Sequence, residues 1–160
     1  MKSMRGLLML SSLIIAFYSC GNAQDWRKIE PVKSTRAEVE ALLGAVQGAY
    51  SAIYQLKEGS LFIEYSSGPC RPERKGGWNV PENVVVSLSF SPRHKKRFAD
   101  LKIDRKKFRK EIDQHVIGIT YYINDEDGIT YEIQDGKVYS IEYGPPKKYD
   151  NLYCGDPQNR

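Results

Sequence analysis

The sequence predicts an α+β fold, with one or two short helices packed on an antiparallel β-sheet of about five to six strands. Three observations lead there. Thr35-Arg36-Ala37-Glu38 is a capping box that opens an amphipathic stretch. Several short runs alternate apolar and polar residues with period two, as half-buried strands do. Asp135-Gly136 joins two such runs, and a tight hairpin turn needs residues that tolerate positive φ at both central positions. The 160 residues, 41% hydrophobic and 28% charged, lie near globular averages and suit one core. That excludes a disordered tail, a collagen-like repeat and a large multidomain enzyme.

A leader precedes the fold. Met1-Lys2-Ser3-Met4-Arg5 carries two cations, and Gly6 to Tyr18 is a mostly apolar run, together the n-region and h-region of a signal peptide over residues 1–23. The run breaks at Ser19-Cys20-Gly21-Asn22, short of the roughly 20 apolar residues that span a bilayer. Gly21-Asn22-Ala23 places small residues for cleavage after Ala23, leaving one globular domain over 24–160 that is secreted or periplasmic. The alternative is an outer-membrane lipoprotein, since Phe17-Tyr18-Ser19-Cys20 resembles a bacterial lipobox with Cys20 as the lipidated residue, although Phe and Tyr are bulky for that box. Lys2 and Arg5 leave with the leader, so 24 basic side chains become 22 against 20 acidic, and the formal +4 falls to about +2. Cys70 and Cys154 remain as an even pair and are expected to form a disulfide in an oxidising compartment, with two buried free thiols as the alternative.

Along the mature chain, Val39, Leu42 and Leu43 form one apolar stripe after the capping box, and Gly44 supplies the helix stop. Tyr50 to Leu56 and Leu61 to Ser66 read as a hairpin across Lys57-Glu58-Gly59-Ser60, with Leu61, Ile63 and Tyr65 on one face. Residues 68–81 are rich in turn formers and predict a long loop pinned by Cys70. Val84, Val86, Leu88 and Phe90 alternate with Val85, Ser87 and Ser89, which predicts a strand with the first set inward and Pro92 at its end. Asp104 before Arg105 to Lys110 predicts a short second helix. The last third reads as a meander of Ile117 to Ile123, Ile129 to Gln134 and Lys137 to Tyr143. Ile129, Tyr131 and Ile133 are expected to share the core face with Tyr139, Ile141 and Tyr143.

Four features bear on chemistry. Residues 93–110 hold ten cations, Arg93, Lys95, Lys96, Arg97, Lys102, Arg105, Lys106, Lys107, Arg109 and Lys110, against Asp100 and Asp104, a local charge of +8. Such a patch attracts a polyanion, an anionic lipid head group or acidic polysaccharide, while export argues against nucleic acid. The alternative is a solvated face balanced by the eight acids of residues 111–142. Asn124 to Gly128 offers oxygen ligands without the spacing or terminal Glu of a calcium loop, so a solvated turn is expected there. His94 and His115 are far apart and the cysteines are better used in a bridge, so neither metal nor cofactor is expected. No Gly-x-Ser-x-Gly elbow or Gly-rich phosphate loop occurs, and Glu64 and Glu132 are the strand carboxylates that keep a hydrolase as an alternative. Eleven Tyr and two Trp are many for this length. Tyr122, Tyr149, Tyr153, Trp26 and Trp78 fall off the inferred core faces, which suits either protein or glycan recognition or packing at the core rim.

Ser34-Thr35-Arg36-Ala37-Glu38-Val39-Glu40-Ala41-Leu42-Leu43-Gly44, with the closing Tyr131-Glu132-Ile133-Gln134-Asp135-Gly136-Lys137-Val138, resembles the SmpA/OmlA-like small envelope proteins. The resemblance covers about a third of the chain. It implies a helix ahead of a three-stranded antiparallel sheet, and action by protein contact rather than catalysis. The long Cys70 loop, the additional strand and the basic segment depart from that pattern, so outer-membrane protein assembly is not carried over. The chain also looks like a group of uncharacterised secreted bacterial proteins, which implies no activity. The expectation is an exported, non-catalytic interaction domain with an unknown protein or an anionic envelope polymer as partner. Membrane attachment is expected only through a lipidated Cys20.

Overall fold

The alternating runs do form strands, and one further strand forms where the sequence shows mainly charge. The computed structural model describes residues 25–71 and 76–155; the expected leader and Cys20 lie outside the described residues. The strands are β1 (Ser51–Gln55), β2 (Gly59–Tyr65), β3 (Val85–Pro92), β4 (Arg109–Ile112), β5 (Ile119–Asn124), β6 (Ile129–Gln134) and β7 (Lys137–Tyr143). They make one antiparallel sheet in the order β1-β2-β3-β7-β6-β5-β4. Among the described residues there is one α-helix, α1 (Arg36–Leu43). The expected one or two helices on five to six strands is therefore corrected to a sheet-dominated, seven-stranded fold.

The correction lies between residues 104 and 112. Asp104 does cap a turn, its carboxylate accepting from the Lys106 amide, but the turn is a single 3-10 element, Arg105–Lys107. The chain then extends as β4 and pairs with β5, Lys110 opposite Tyr122 and Ile112 opposite Thr120. Arg105 to Lys110 has no apolar stripe to hold a helix down, whereas a charged strand is stable at a sheet edge, where cations discourage pairing with other chains.

Two β-bulges set which side chains face the core. Glu64 pairs with Ser87 but Tyr65 pairs with Val85, leaving Val86 as the extra residue of β3. Val85, fully buried, thereby joins Leu88 and Phe90 inside, in place of the expected Val86. On β7, Glu132 pairs with Ser140 and Ile133 with Val138, so Tyr139 is the extra residue. Val138 is 2% exposed and Tyr139 41% exposed, so the expected core place of Tyr139 belongs to Val138. The turn between β6 and β7 is as the sequence predicts, with Asp135 at φ 51° and Gly136 at φ 72°.

Both clusters of the core lie on one face of the sheet. The larger packs Val39 of α1, Trp26 and Ile29 on Ala52, Tyr54, Leu61, Ile63 and Phe90. Trp26, expected off the core, is 3% exposed, stacks on Phe90 at 4.8 Å and donates its indole N–H to Glu58 Oε1 at 3.1 Å. The capping box forms, Glu38 Oε2 accepting from the Thr35 amide at 2.7 Å and Thr35 Oγ1 from the Glu38 amide at 3.3 Å. Arg36 ties the helix down, donating to Asn83 Oδ1 at 3.0 Å, to the Gly48 carbonyl at 2.8 Å and to the Ala49 carbonyl. The smaller cluster packs Phe98, Leu101 and Ile103 on Tyr122, Tyr131, Ile133 and Val138, and Ile141 touches both clusters. Segment 93–108 thus leaves β3, crosses the apolar face of β7, β6 and β5, and delivers the chain to the far edge.

Cys70 and Cys154 are bridged, with Cα atoms 5.5 Å apart and a sequence separation of 84. The bridge ties the 68–81 loop to the C-terminal segment, where Trp78 meets Tyr153 edge to face at 5.3 Å and the Cys154 amide donates to the Gly77 carbonyl at 2.9 Å.

Cys70→Ser with Cys154→Ser should lower unfolding free energy by about 2–4.5 kcal/mol, the upper figure being the chain-entropy value for a loop of this length. Urea denaturation of oxidised wild type against the double variant measures it, and an unchanged midpoint would remove the bridge from the stability argument. Gly128 sits at φ 67°, where a Cβ would lie 2.3 Å from the Gly144 carbonyl oxygen. Gly128→Ala is expected to cost more than about 1 kcal/mol on the same measurement.

Candidate functional site

The basic segment is built as a strap with two sides. Phe98 is buried and Leu101, Ile103 and Phe108 are half-buried against the sheet, while all ten cations of residues 93–110 are exposed. Backbone bonds fix its start: the Phe98 amide donates to the Gly136 carbonyl, and the Val138 amide to the Lys96 carbonyl, each at 2.9 Å. Among the described residues, only two of the ten cations have a carboxylate within ion-pair distance. Arg97 pairs with Asp100 at 3.0 Å, and Arg109 pairs with Asp125 at 2.9 Å and with Glu111. Lys95 lies 3.5 Å over the Tyr139 ring, Arg105 donates to the Ala99 carbonyl at 2.8 Å, and Arg93 to the Leu56 carbonyl at 3.3 Å.

Of the acids expected to balance this charge, Glu111 and Asp125 pair with Arg109, and others are occupied away from the segment. Asp113 accepts from the His115 and Val116 amides at 2.7 and 2.9 Å, which holds its carboxyl below the ordinary range. Glu126 pairs with Lys147 at 3.0 Å. Asn124 and Asp127 bond one another across the turn, the Asn124 amide donating to Asp127 Oδ2 at 2.8 Å, so the acidic run is a self-contained turn. Among the described residues, no three of His, Cys, Asp and Glu are grouped as a metal would need.

Beside the strap lies a cleft of about 350 Å³, at the seam between the two clusters. Phe90, Leu101, Val138 and Ile141 form its floor and walls. Its lips carry Arg27, His94 and Lys96 with one acid, Glu58. His94 and Lys96 come from the strap's first residues, Arg27 from the N-terminal 3-10 turn (Trp26–Lys28), and Glu58 from the β1–β2 hairpin. The sequence brings none of these together by spacing.

The opposite face of the sheet is open and acidic at its centre. The register puts Glu64, Glu132 and Glu142 on this face among Ser87, Ser89 and Ser140. Ser87 Oγ donates to Glu64 at 2.7 Å and Ser140 Oγ to Glu132 at 2.8 Å. Desolvation first, and then the charges of Glu64 and Glu132, push the Glu142 carboxyl above its ordinary range. Of the aromatic side chains expected at a recognition surface, Tyr122 stacks on Phe98 at 4.1 Å, and Trp26, Trp78 and Tyr153 are in the ring contacts described above. Tyr149 is half-buried in the C-terminal 3-10 turn, Lys147–Leu152.

Compared with known protein families, curated proteins and solved structures, the chain matches none. Among the described residues no helix is long and apolar enough to cross a membrane.

Because the folded-state pKa of Glu142 is raised, its contribution to stability is present below the ordinary glutamate range and is lost as pH rises through the raised value. Glu142→Gln should therefore raise the urea midpoint at pH 7 and leave it unchanged at pH 3. An equal shift at both pH values would show that packing, not charge, is responsible.

Proposed function

We propose that the chain is an exported, non-catalytic interaction domain, working in the periplasm, at the envelope or outside the cell, that engages an anionic envelope polymer through residues 93–110. The observation that carries this reading is the lack of internal compensation: eight of the ten exposed cations have no carboxylate within ion-pair distance among the described residues. Their apolar neighbours are turned to the sheet, so the strap presents charge outward over its length. Single exposed ion pairs contribute only about 0–1 kcal/mol, so the affinity is a sum over many weak contacts and falls as salt screens them. The hydrolase reading has less support, because Glu64 and Glu132 accept from serines on an open sheet face rather than lining a cavity.

The test is chromatography of mature, oxidised protein on an immobilised acidic polysaccharide such as polygalacturonate. Wild type should be retained in about 50 mM salt and released by about 0.3 M. Lys102→Gln/Lys106→Gln/Lys107→Gln should elute earlier with unchanged urea stability. Flow-through of wild type at low salt, or retention indifferent to salt, would sink the reading.

A further inference from the structure

We infer that the cleft at the seam is a binding site for a small anionic amphiphile, an acyl chain ending in a single carboxylate. The inference goes beyond polymer binding by the outer side of the strap: the cleft shares Lys96 with that segment, and its apolar lining lies outside the proposed polymer contact. Its floor is rigid: Val138 is 2% and Phe90 6% exposed, and both are held by strand pairing or ring stacking. A volume of about 350 Å³ lies at the lower end of the roughly 300–1,000 Å³ of ligand pockets, which admits one small molecule and excludes a folded partner. Leu101 and Ile141 are only half-buried there, so an apolar chain in the cleft would cover them where the two clusters touch at Ile141.

The lips choose the head group. Glu58, the one acid there, already accepts from the Trp26 indole at 3.1 Å and lies 3.7 Å from Arg27. Lys96 has no carboxylate within ion-pair distance among the described residues, and its backbone is fixed by the bond to Val138. Arg27 is also paired with Asp25 at 3.2 Å, so an entering carboxylate meets Lys96 as the unpaired cation at the edge of an apolar surface, where charge-assisted hydrogen bonds are stronger than in open water. A cationic head group of the same chain length gains the floor but is repelled at the lip.

Trp26 stacks on Phe90, which lines the cleft, so indole emission reports occupancy at this place. The experiment is titration of full mature protein with 11-(dansylamino)undecanoate, following energy transfer from tryptophan, then displacement by dodecanoate and by dodecyltrimethylammonium. Saturable transfer, displacement by dodecanoate but not by the cationic amphiphile, and at least tenfold weaker binding in Lys96→Glu are expected. Lys96 is exposed, so that variant tests charge without threatening the fold. The Lys102→Gln/Lys106→Gln/Lys107→Gln variant should keep dodecanoate binding while losing polysaccharide, so the two proposals fail separately. No saturable transfer, equal displacement by both amphiphiles, or an unaffected Lys96→Glu would each overturn the inference.

Discussion

A seven-stranded antiparallel sheet with one apolar face is about 29 Å wide across its strands, and the only α-helix among the described residues, eight residues long, covers about 12 Å. That mismatch organises the molecule. Helix α1 and the Trp26 turn cover β1 to β3, and the rest of the face must be covered by chain with no helix to offer. Segment 93–108 does so by turning Phe98, Leu101 and Ile103 inward and its cations outward. The charge run and the second core cluster are thus two sides of one strap. Where the two covers approach one another, over Phe90, Val138 and Ile141, they leave the cleft between them.

Features encoded by neighbouring residues were legible in the sequence. The Asp135-Gly136 turn needs positive φ at two adjacent residues, and the bounds of β6 and β7 follow from it. The capping box satisfies its own donors within four residues, and the cysteine pairing follows from Cys70 and Cys154 being an even pair beyond the expected leader. The misses share a cause of another kind. A bulge is set by the register between strands, so the residue left over, Val86 or Tyr139, cannot be read from either strand alone. Strand β4 carries no alternation because edge strands favour charge over pattern. The cleft gathers residues 27, 58, 96 and 138 from four separate elements, and no spacing rule links them.

Composition conceals how charge is distributed through the fold. The fold places strap segment 93–108 on the covered side of the sheet and Glu64, Glu132 and Glu142 on the open side. The sheet thus stands between the strap's unpaired cations and this row of carboxylates, so neither set compensates the other by direct pairing.

The ladder between β3 and β7 is three residue pairs long, Leu88 with Tyr143, Ser89 with Glu142 and Phe90 with Ile141, and among the described residues it is the only strand pairing between the two halves of the sheet. Each half is a meander of strands consecutive in sequence, the longest connection within either being the loop between β2 and β3. The central ladder instead joins residues roughly 55 apart, and its closure entropy must be met before its few contacts can repay it. Assembly of this protein is therefore governed by chain topology at its middle. The disulfide has a matching role: by linking the loop between β2 and β3 to the segment after β7, it supplies a covalent tie between the two meanders beside that short central ladder.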